Sequence, residues 1–291
     1  MENFYLDGYK DLKLFCTKYI PEKPKAVLMI IHGMREHSGR YKEFAEFMCK
    51  KGYLVITSDN RGHGNTMKDK NEFGHGKFGD IYGETIEDQK LIVKYAKEFN
   101  LPIYLFAHSY GSMLAQTLIQ ECPEIEKTIL QGTNNGNNIV YKFGKIVGNL
   151  LRFFGKDNKP SSIFENPGKK SWGKTHGGNW LSRDEDVYIR YKQDEKCNGS
   201  FPVSFYRSLM SHMTKVNKSI KKIKPTQKIM LTCGSLDPVG NNGKNVKKLH
   251  QTYLKNGVNS KLIIYPNAWH ELHNEINKKE VFADILNFYE N

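Results

Sequence analysis

An alternation constrains this chain more than any other feature of its sequence. Six short apolar runs, at residues 26–31, 53–57, 103–107, 128–130, 228–232 and 261–265, are separated by longer segments of helical period. Strands buried on both faces read as near-continuous apolar stretches, and helices that cross between them read as amphipathic segments. The class is therefore α/β: a mostly parallel central sheet with helices on both faces. Helices are expected over 40–51, 84–99, 110–121, 244–255 and 275–289, the third closed by Pro123 and the fourth by Gly257. Two extended runs, 4–6 and 12–20, are expected to form an antiparallel start to the sheet.

The alternation lapses after Gln131 and resumes at Lys228. Between them the chain is rich in Asn, Gly and Lys, carries Trp172 and Trp180, and holds no buried strand, so residues 133–225 read as an inserted cap in a core built from 1–132 and 226–291. An insertion of that length has structure of its own and often serves as a lid. It also holds much of the charge. The whole chain has a formal net charge of +13, and from Thr133 to Lys224 about 18 Lys and Arg stand against about 7 Asp and Glu. No recognition helix, RNP motif, zinc finger or OB signature accompanies the basic residues, so nucleic acid is not an expected partner.

The chemistry concentrates at strand ends. In Leu105-Phe106-Ala107-His108-Ser109-Tyr110-Gly111-Ser112 a serine stands between an apolar run and a helix, with small residues two before and two after it. This is the nucleophile-elbow pattern with Ala107 in the first glycine position. A sharp strand-to-helix turn holds such a serine in strained backbone angles, and the small neighbours avoid clashes as its hydroxyl projects outward. Ser109 could instead merely cap a helix. Order along the chain favours the nucleophile, because an acid and then a histidine should follow the later core strands. Asp237 follows 228–232 and His270 follows 261–265. His250 lies mid-helix and reads as solvated or packed; His273 reads as a supporting residue. Backbone N–H groups of Tyr110, at the helix start, and Met34, after the run ending in His32-Gly33, are the expected oxyanion donors. Asp59, Arg61 and His63 read as structural.

Taken in order, HGMREHSGRY, SDNRGHGN, AHSYGS, GSLDPVG and WHELHNE resemble the monoacylglycerol lipase and lysophospholipase family of α/β-hydrolases, and WLSRD at 180–184 resembles part of that family's cap. The resemblance covers nearly the whole chain. It implies the same triad of Ser109, Asp237 and His270 and the same donors, Met34 and Tyr110. It further implies that Glu36 and Arg40 hold the alcohol portion of the substrate. Ala107, Ser112, Met34 and the Lys-rich cap depart from the family pattern.

The function expected is serine-dependent cleavage of a carboxylic ester, with monoacylglycerol- or lysophospholipid-type lipids as substrates. A thioesterase, a peptidase or a non-catalytic ligand-binding homologue are the alternatives. No cofactor and no metal are expected. Gly74 to Gly79 fits G-x-G-x-x-G but follows no clear strand, and His270-Glu271-Leu272-His273 is one residue short of the zinc-binding H-E-x-x-H. The five cysteines lack paired spacing and read as free thiols, and the N-terminus lacks a signal-peptide pattern, so a cytoplasmic location is expected. Residues 139–156 carry Ile139, Phe143, Ile146, Val147, Leu150 and Phe154 at helical spacing, with Lys142, Lys145, Asn149, Arg152 and Lys156 on another stripe. Such a helix either lies on an anionic membrane surface or packs its apolar stripe over the core or an acyl tunnel. Oligomeric state is not legible.

Overall fold

The computed structural model describes residues 1–77, 79–136, 138–165 and 178–291; Trp172 and Phe78, in the G-x-G-x-x-G stretch, lie outside them. Eight strands form one sheet: β1 (Glu2–Asp7), β2 (Lys13–Tyr19), β3 (Ala26–Ile31), β4 (Tyr53–Ser58), β5 (Ile103–His108), β6 (Ile125–Gln131), β7 (Lys228–Gly234) and β8 (Asn259–Tyr265). Their spatial order is β1-β2-β4-β3-β5-β6-β7-β8. β1 pairs with β2 and β2 with β4 in antiparallel register, and all later pairings are parallel.

Helices α1 (Lys42–Lys50), α2 (Ile81–Lys97) and α3 (Tyr110–Glu121) connect the first strands. In the segment between β6 and β7 lie α4 (Ile139–Phe153), α5 (Glu185–Gln193) and α6 (Val203–Met213). The chain ends with α7 (Lys244–Lys255) and α8 (Lys278–Glu290). Every residue of β3 is buried, and the two-residue period sends alternate side chains to opposite faces. Val27, Met29 and Ile31 join residues of α2, α3 and α7, whereas Ala26, Leu28 and Ile30 join residues of α1 and α8. Both faces are covered, as a parallel sheet requires.

Three helix starts differ from the sequence expectation, each for a local reason. α1 begins at Lys42 because Ser38–Tyr41 forms a 3-10 turn capped by the His37 side chain. α2 begins at Ile81 because the Asp80 carboxylate accepts from Gly83 N–H and caps the helix there. A second 3-10 turn, Leu272–Asn274, delays α8 to Lys278.

Among the described residues, the β6–β7 segment contains helices and 3-10 turns with one isolated bridge, Pro160 to Pro202. It is not a separate globule. Phe201, Phe205, Leu209, Met213, Val216 and Ile220 belong to the same apolar cluster as Tyr110, Leu114 and Ile119 of α3.

α4 faces the opposite way from one of the two readings of its sequence. Its buried residues are Tyr141, Gly144 and Gly148. A Cβ at Gly144 would lie 2.1 Å from Met210 Sδ, and one at Gly148 would lie 3.0 Å from Arg207 Cβ, so the bare backbone of α4 fits against α6. That choice of face turns the apolar stripe outward: Ile139, Phe143, Ile146, Leu150 and Phe154 are all more than half exposed.

Candidate active site

Ser109 joins β5 to α3 with φ 52° and ψ −120°, a left-handed region that costs a non-glycine residue on the order of 1–3 kcal/mol. The surroundings hold it there. Its N–H donates to Gln131 O at the end of β6 (2.9 Å), and its carbonyl accepts from Met113 N–H (3.1 Å) and Ser112 Oγ (2.6 Å). A Cβ at Gly111 would stand 2.3 Å from Ile31 O, so α3 starts hard against the end of β3. Ser109 itself is partly exposed in an otherwise buried stretch.

The backbone of Gly33 passes over this serine. A Cβ there would meet Ser109 Cβ at 3.0 Å and Glu36 Oε1 at 2.6 Å, which sets the Gly33–Met34 peptide beside the elbow. Arg35, next in sequence, has φ 57°. Its guanidinium pairs with Glu165 and donates to Tyr206 OH at 3.2 Å, both in the β6–β7 segment.

His270 and Asp237 come together from the loops after β8 and β7. Nδ1 of His270 lies 2.9 Å from Asp237 Oδ1, both residues are buried, and that same oxygen accepts from Val239 N–H. Burial alone would lower the imidazole's proton affinity; the Asp237 charge and hydrogen bond, with help from Glu271 and Glu36, override it and raise the pKa. Nε2 of His270 is buried and makes no hydrogen bond among the described residues. The ring lies over Gly132, where a Cβ would be 2.8 Å from His270 Cε1, and its centroid is 4.6 Å from that of His108, the residue before Ser109. Serine, imidazole and carboxylate are thus gathered at the carboxyl ends of β5, β8 and β7, without a direct Ser109–His270 hydrogen bond.

Glu36 and Arg40 lie close by, with their polar atoms turned inward. Glu36 accepts from Gly33 N–H, Tyr41 OH (2.7 Å) and Arg40 Nη1 (2.8 Å). Arg40 grips Glu271 with two bonds of 2.7 Å. Burial would raise the Glu271 pKa, but Arg40 holds it down at about 2. These contacts favour holding the Gly33 and His270 loops together over reaching an alcohol.

The other candidates are tied into the frame. Arg61 binds Asp88 at 2.9 Å, Asp59 accepts from Ser38 N–H and Asn65 N–H, and His63 Nδ1 meets Arg61 O. His273 stacks on Tyr41 and bonds Gln131 Oε1 at 2.6 Å, with burial lowering its pKa to about 4. His250, in α7, bonds Ser260 Oγ of β8 at 2.9 Å.

Sequence reasoning did not anticipate the clasp on the His270 loop. Trp180 lies 5.0 Å from the His270 ring, Leu181 O accepts from Glu271 N–H (2.7 Å), Ser182 Oγ donates to Asn274 O (2.9 Å) and Arg183 pairs with Glu275 (3.0 Å). WLSRD was the available signal, but nothing in its spacing names a partner some 90 residues away.

The profile of the Hydrolase_4 family, described as serine aminopeptidase, S33, matches residues 22–277. Monoglyceride lipase of Homo sapiens is 26% identical over 284 residues, covering 94% of this chain and 85% of that protein. Phospholipase YtpA of Bacillus subtilis is 27% identical over 267 residues, covering 90% and 93%. Among solved structures, a thermostable carboxyl esterase from Bacillus coagulans in complex with glycerol superposes with a TM-score of 0.90 at 24% identity, over 99% of this chain and 97% of that one.

Proposed function

This chain belongs to the Hydrolase_4 family of α/β-hydrolases, and from that premise we propose that it is a serine carboxylester hydrolase acting on monoacylglycerol- or lysophospholipid-type lipids. The observation that carries the reading is the buried His270–Asp237 pair gathered at the strained Ser109 elbow. The relatives named monoglyceride lipase and phospholipase support a lipid ester as substrate.

In this mechanism His270 Nε2 takes the Ser109 proton as Oγ attacks the ester carbonyl. N–H groups of Met34 and Tyr110 hold the oxyanion, and His270 returns the proton to the leaving alcohol. Water then cleaves the acyl-enzyme by the same steps. Asp237 fixes the Nδ1–H tautomer and stabilises the imidazolium. The scheme uses no cofactor.

The β6–β7 segment acts as the cap in this proposal, bringing the acyl chain to Ser109. The exposed apolar stripe of α4, flanked by Lys142, Lys145, Arg152 and Lys156, supports peripheral contact with an anionic lipid surface. No helix among the described residues is long and apolar enough to cross a membrane.

The test is fluorophosphonate labelling and a panel of glycerol esters, aryl esters, acyl-CoA and aminoacyl anilides, on wild type and Ser109→Ala. The proposal expects labelling and glycerol-ester turnover in wild type only. Preference for anilides or acyl-CoA would reassign the triad to a peptidase or thioesterase, and absence of labelling would leave a binding protein.

A further inference from the structure

Outside the elbow, one cluster of metal-ligating atoms joins the loop that carries Met34 to the β6–β7 segment. His37, Asp194 and Cys197 bring an imidazole nitrogen, a carboxylate oxygen and a sulfur within 4.8 Å of one another. Asp194 and Cys197 share a face because Glu195–Cys197 is a 3-10 turn with Asp194 as its cap, and residues three apart in such a turn eclipse. Asp194 Oδ1 is engaged by Lys196 N–H, which leaves Oδ2 for His37, 2.7 Å from Nε2. The Cys197 thiol is buried, whereas the His37 and Asp194 side chains are 14% and 31% exposed, so an ion could enter from solvent.

We propose that His37, Asp194 and Cys197 form a three-ligand site for a divalent cation of the zinc class, which staples the Met34 loop to the β6–β7 segment. The donor set selects the ion. Nitrogen, sulfur and carboxylate oxygen suit Zn²⁺ in tetrahedral geometry, with water as fourth ligand, whereas Mg²⁺ and Ca²⁺ prefer oxygen alone.

Binding requires a defined proton balance. His37 Nδ1 accepts from Gly39 N–H at 3.2 Å, so Nε2 carries the ring proton and donates to Asp194. On capture the proton moves to Nδ1, the Gly39 bond is released to solvent, and Nε2 takes the metal. Cys197 loses its thiol proton to buffer, one per ion, and the thiolate and Asp194 carboxylate neutralise the divalent charge. His37 and the two insertion residues are about 157 positions apart in sequence, so spacing gives no sign of this site.

The experiment uses the full chain, reduced and freed of metal by chelator, titrated with Co²⁺. One equivalent should produce thiolate-to-cobalt charge-transfer absorption with tetrahedral d–d bands, both erased by added Zn²⁺. Cys197→Ser should abolish the charge-transfer band, and His37→Gln and Asp194→Asn should each weaken Co²⁺ binding by at least about tenfold. Zn²⁺ should raise the melting temperature of wild type and not of His37→Gln. No charge-transfer band with wild type, or an equal band in Cys197→Ser, overturns the proposal. If Cys197→Ser does not fold by circular dichroism, His37→Gln and Asp194→Asn decide alone, and unchanged affinity in both overturns it. Asn at 194 keeps the turn's cap, so that variant separates ligand loss from misfolding. Neither readout depends on ester hydrolysis, so the result stands apart from the proposed function.

Discussion

At the scale of single residues, Ser109, Asp237 and His270 answer to different tests. Ser109→Ala should abolish ester hydrolysis, by a factor on the order of 10⁴ or more if the three groups act as a unit, while circular dichroism stays unchanged. Residual turnover within tenfold of wild type would disprove the nucleophile. The imidazole must be neutral to take the serine proton, and Asp237 raises its pKa above the ordinary 6.5. The acid limb of kcat/KM should therefore lie above pH 6.5 and move down in Asp237→Asn, measured on the activity that remains. Stability carries the opposite sign. A histidine whose pKa is raised in the folded state contributes stability that is fully present below 6.5 and is lost as pH rises through the folded value. Asp237→Asn should remove that part of the pH dependence of unfolding. Glu36 offers a further distinction, because its carboxylate holds Gly33 N–H, Tyr41 OH and Arg40. Hydrogen bonds to a charged group contribute about 1.5–3 kcal/mol, and here they hold the Gly33 backbone beside Ser109, so Glu36→Gln should misplace that backbone and cut turnover of glycerol esters and simple aryl esters by similar factors of roughly 10–100. A loss confined to glycerol esters would show that the Glu36–Arg40 pair reaches the alcohol.

At the scale of elements, α4 is the most informative helix. Its sequence shows an apolar stripe and a basic stripe, and amphipathicity alone points the apolar stripe at a core. The structure buries the glycine face instead, because only a Cβ-free surface lets α4 approach Met210 and Arg207 of α6. Gly144→Leu should then push the two helices apart and destabilise by about 1–3 kcal/mol, outweighing the helix propensity gained over glycine. Urea denaturation measures this, and a rise in midpoint would mean that the α4–α6 contact is loose. The strands were far more legible. β3, β4, β5 and β7 are buried on both faces and read as plain apolar runs. The edge strand β1 shows only weak alternation, because one of its sides faces solvent.

At the scale of the whole molecule, the outward stripe of α4 leads to a prediction about surfaces. Each basic residue close to an anionic bilayer adds about 1 kcal/mol, screened by salt. Sedimentation with vesicles should show binding to anionic but not neutral lipid, weaker at high salt and lost in Lys142→Glu/Lys145→Glu. No binding to anionic vesicles at low salt would remove the membrane proposal. The same segment grips both site loops, through Arg35–Glu165, His37–Asp194, Trp180–His270 and Arg183–Glu275. These contacts tie the segment to the two loops that flank Ser109.

By itself the sequence determined the α/β class, the lapse of the pattern between Gln131 and Lys228, and the strand-end positions of Ser109, Asp237 and His270. Those features are local: apolar runs, turn residues and spacing along one chain are set by backbone sterics and side-chain period. Tertiary structure alone decided which face of α4 is buried, which backbone crosses Ser109 at Gly33, and how Glu36, Arg40 and Glu271 share their charges. It also brought Trp180 against His270 and His37 against Asp194. Each of these pairs residues from separate elements, and its energy comes from close packing and desolvated hydrogen bonds that exist only once the chain has closed around them.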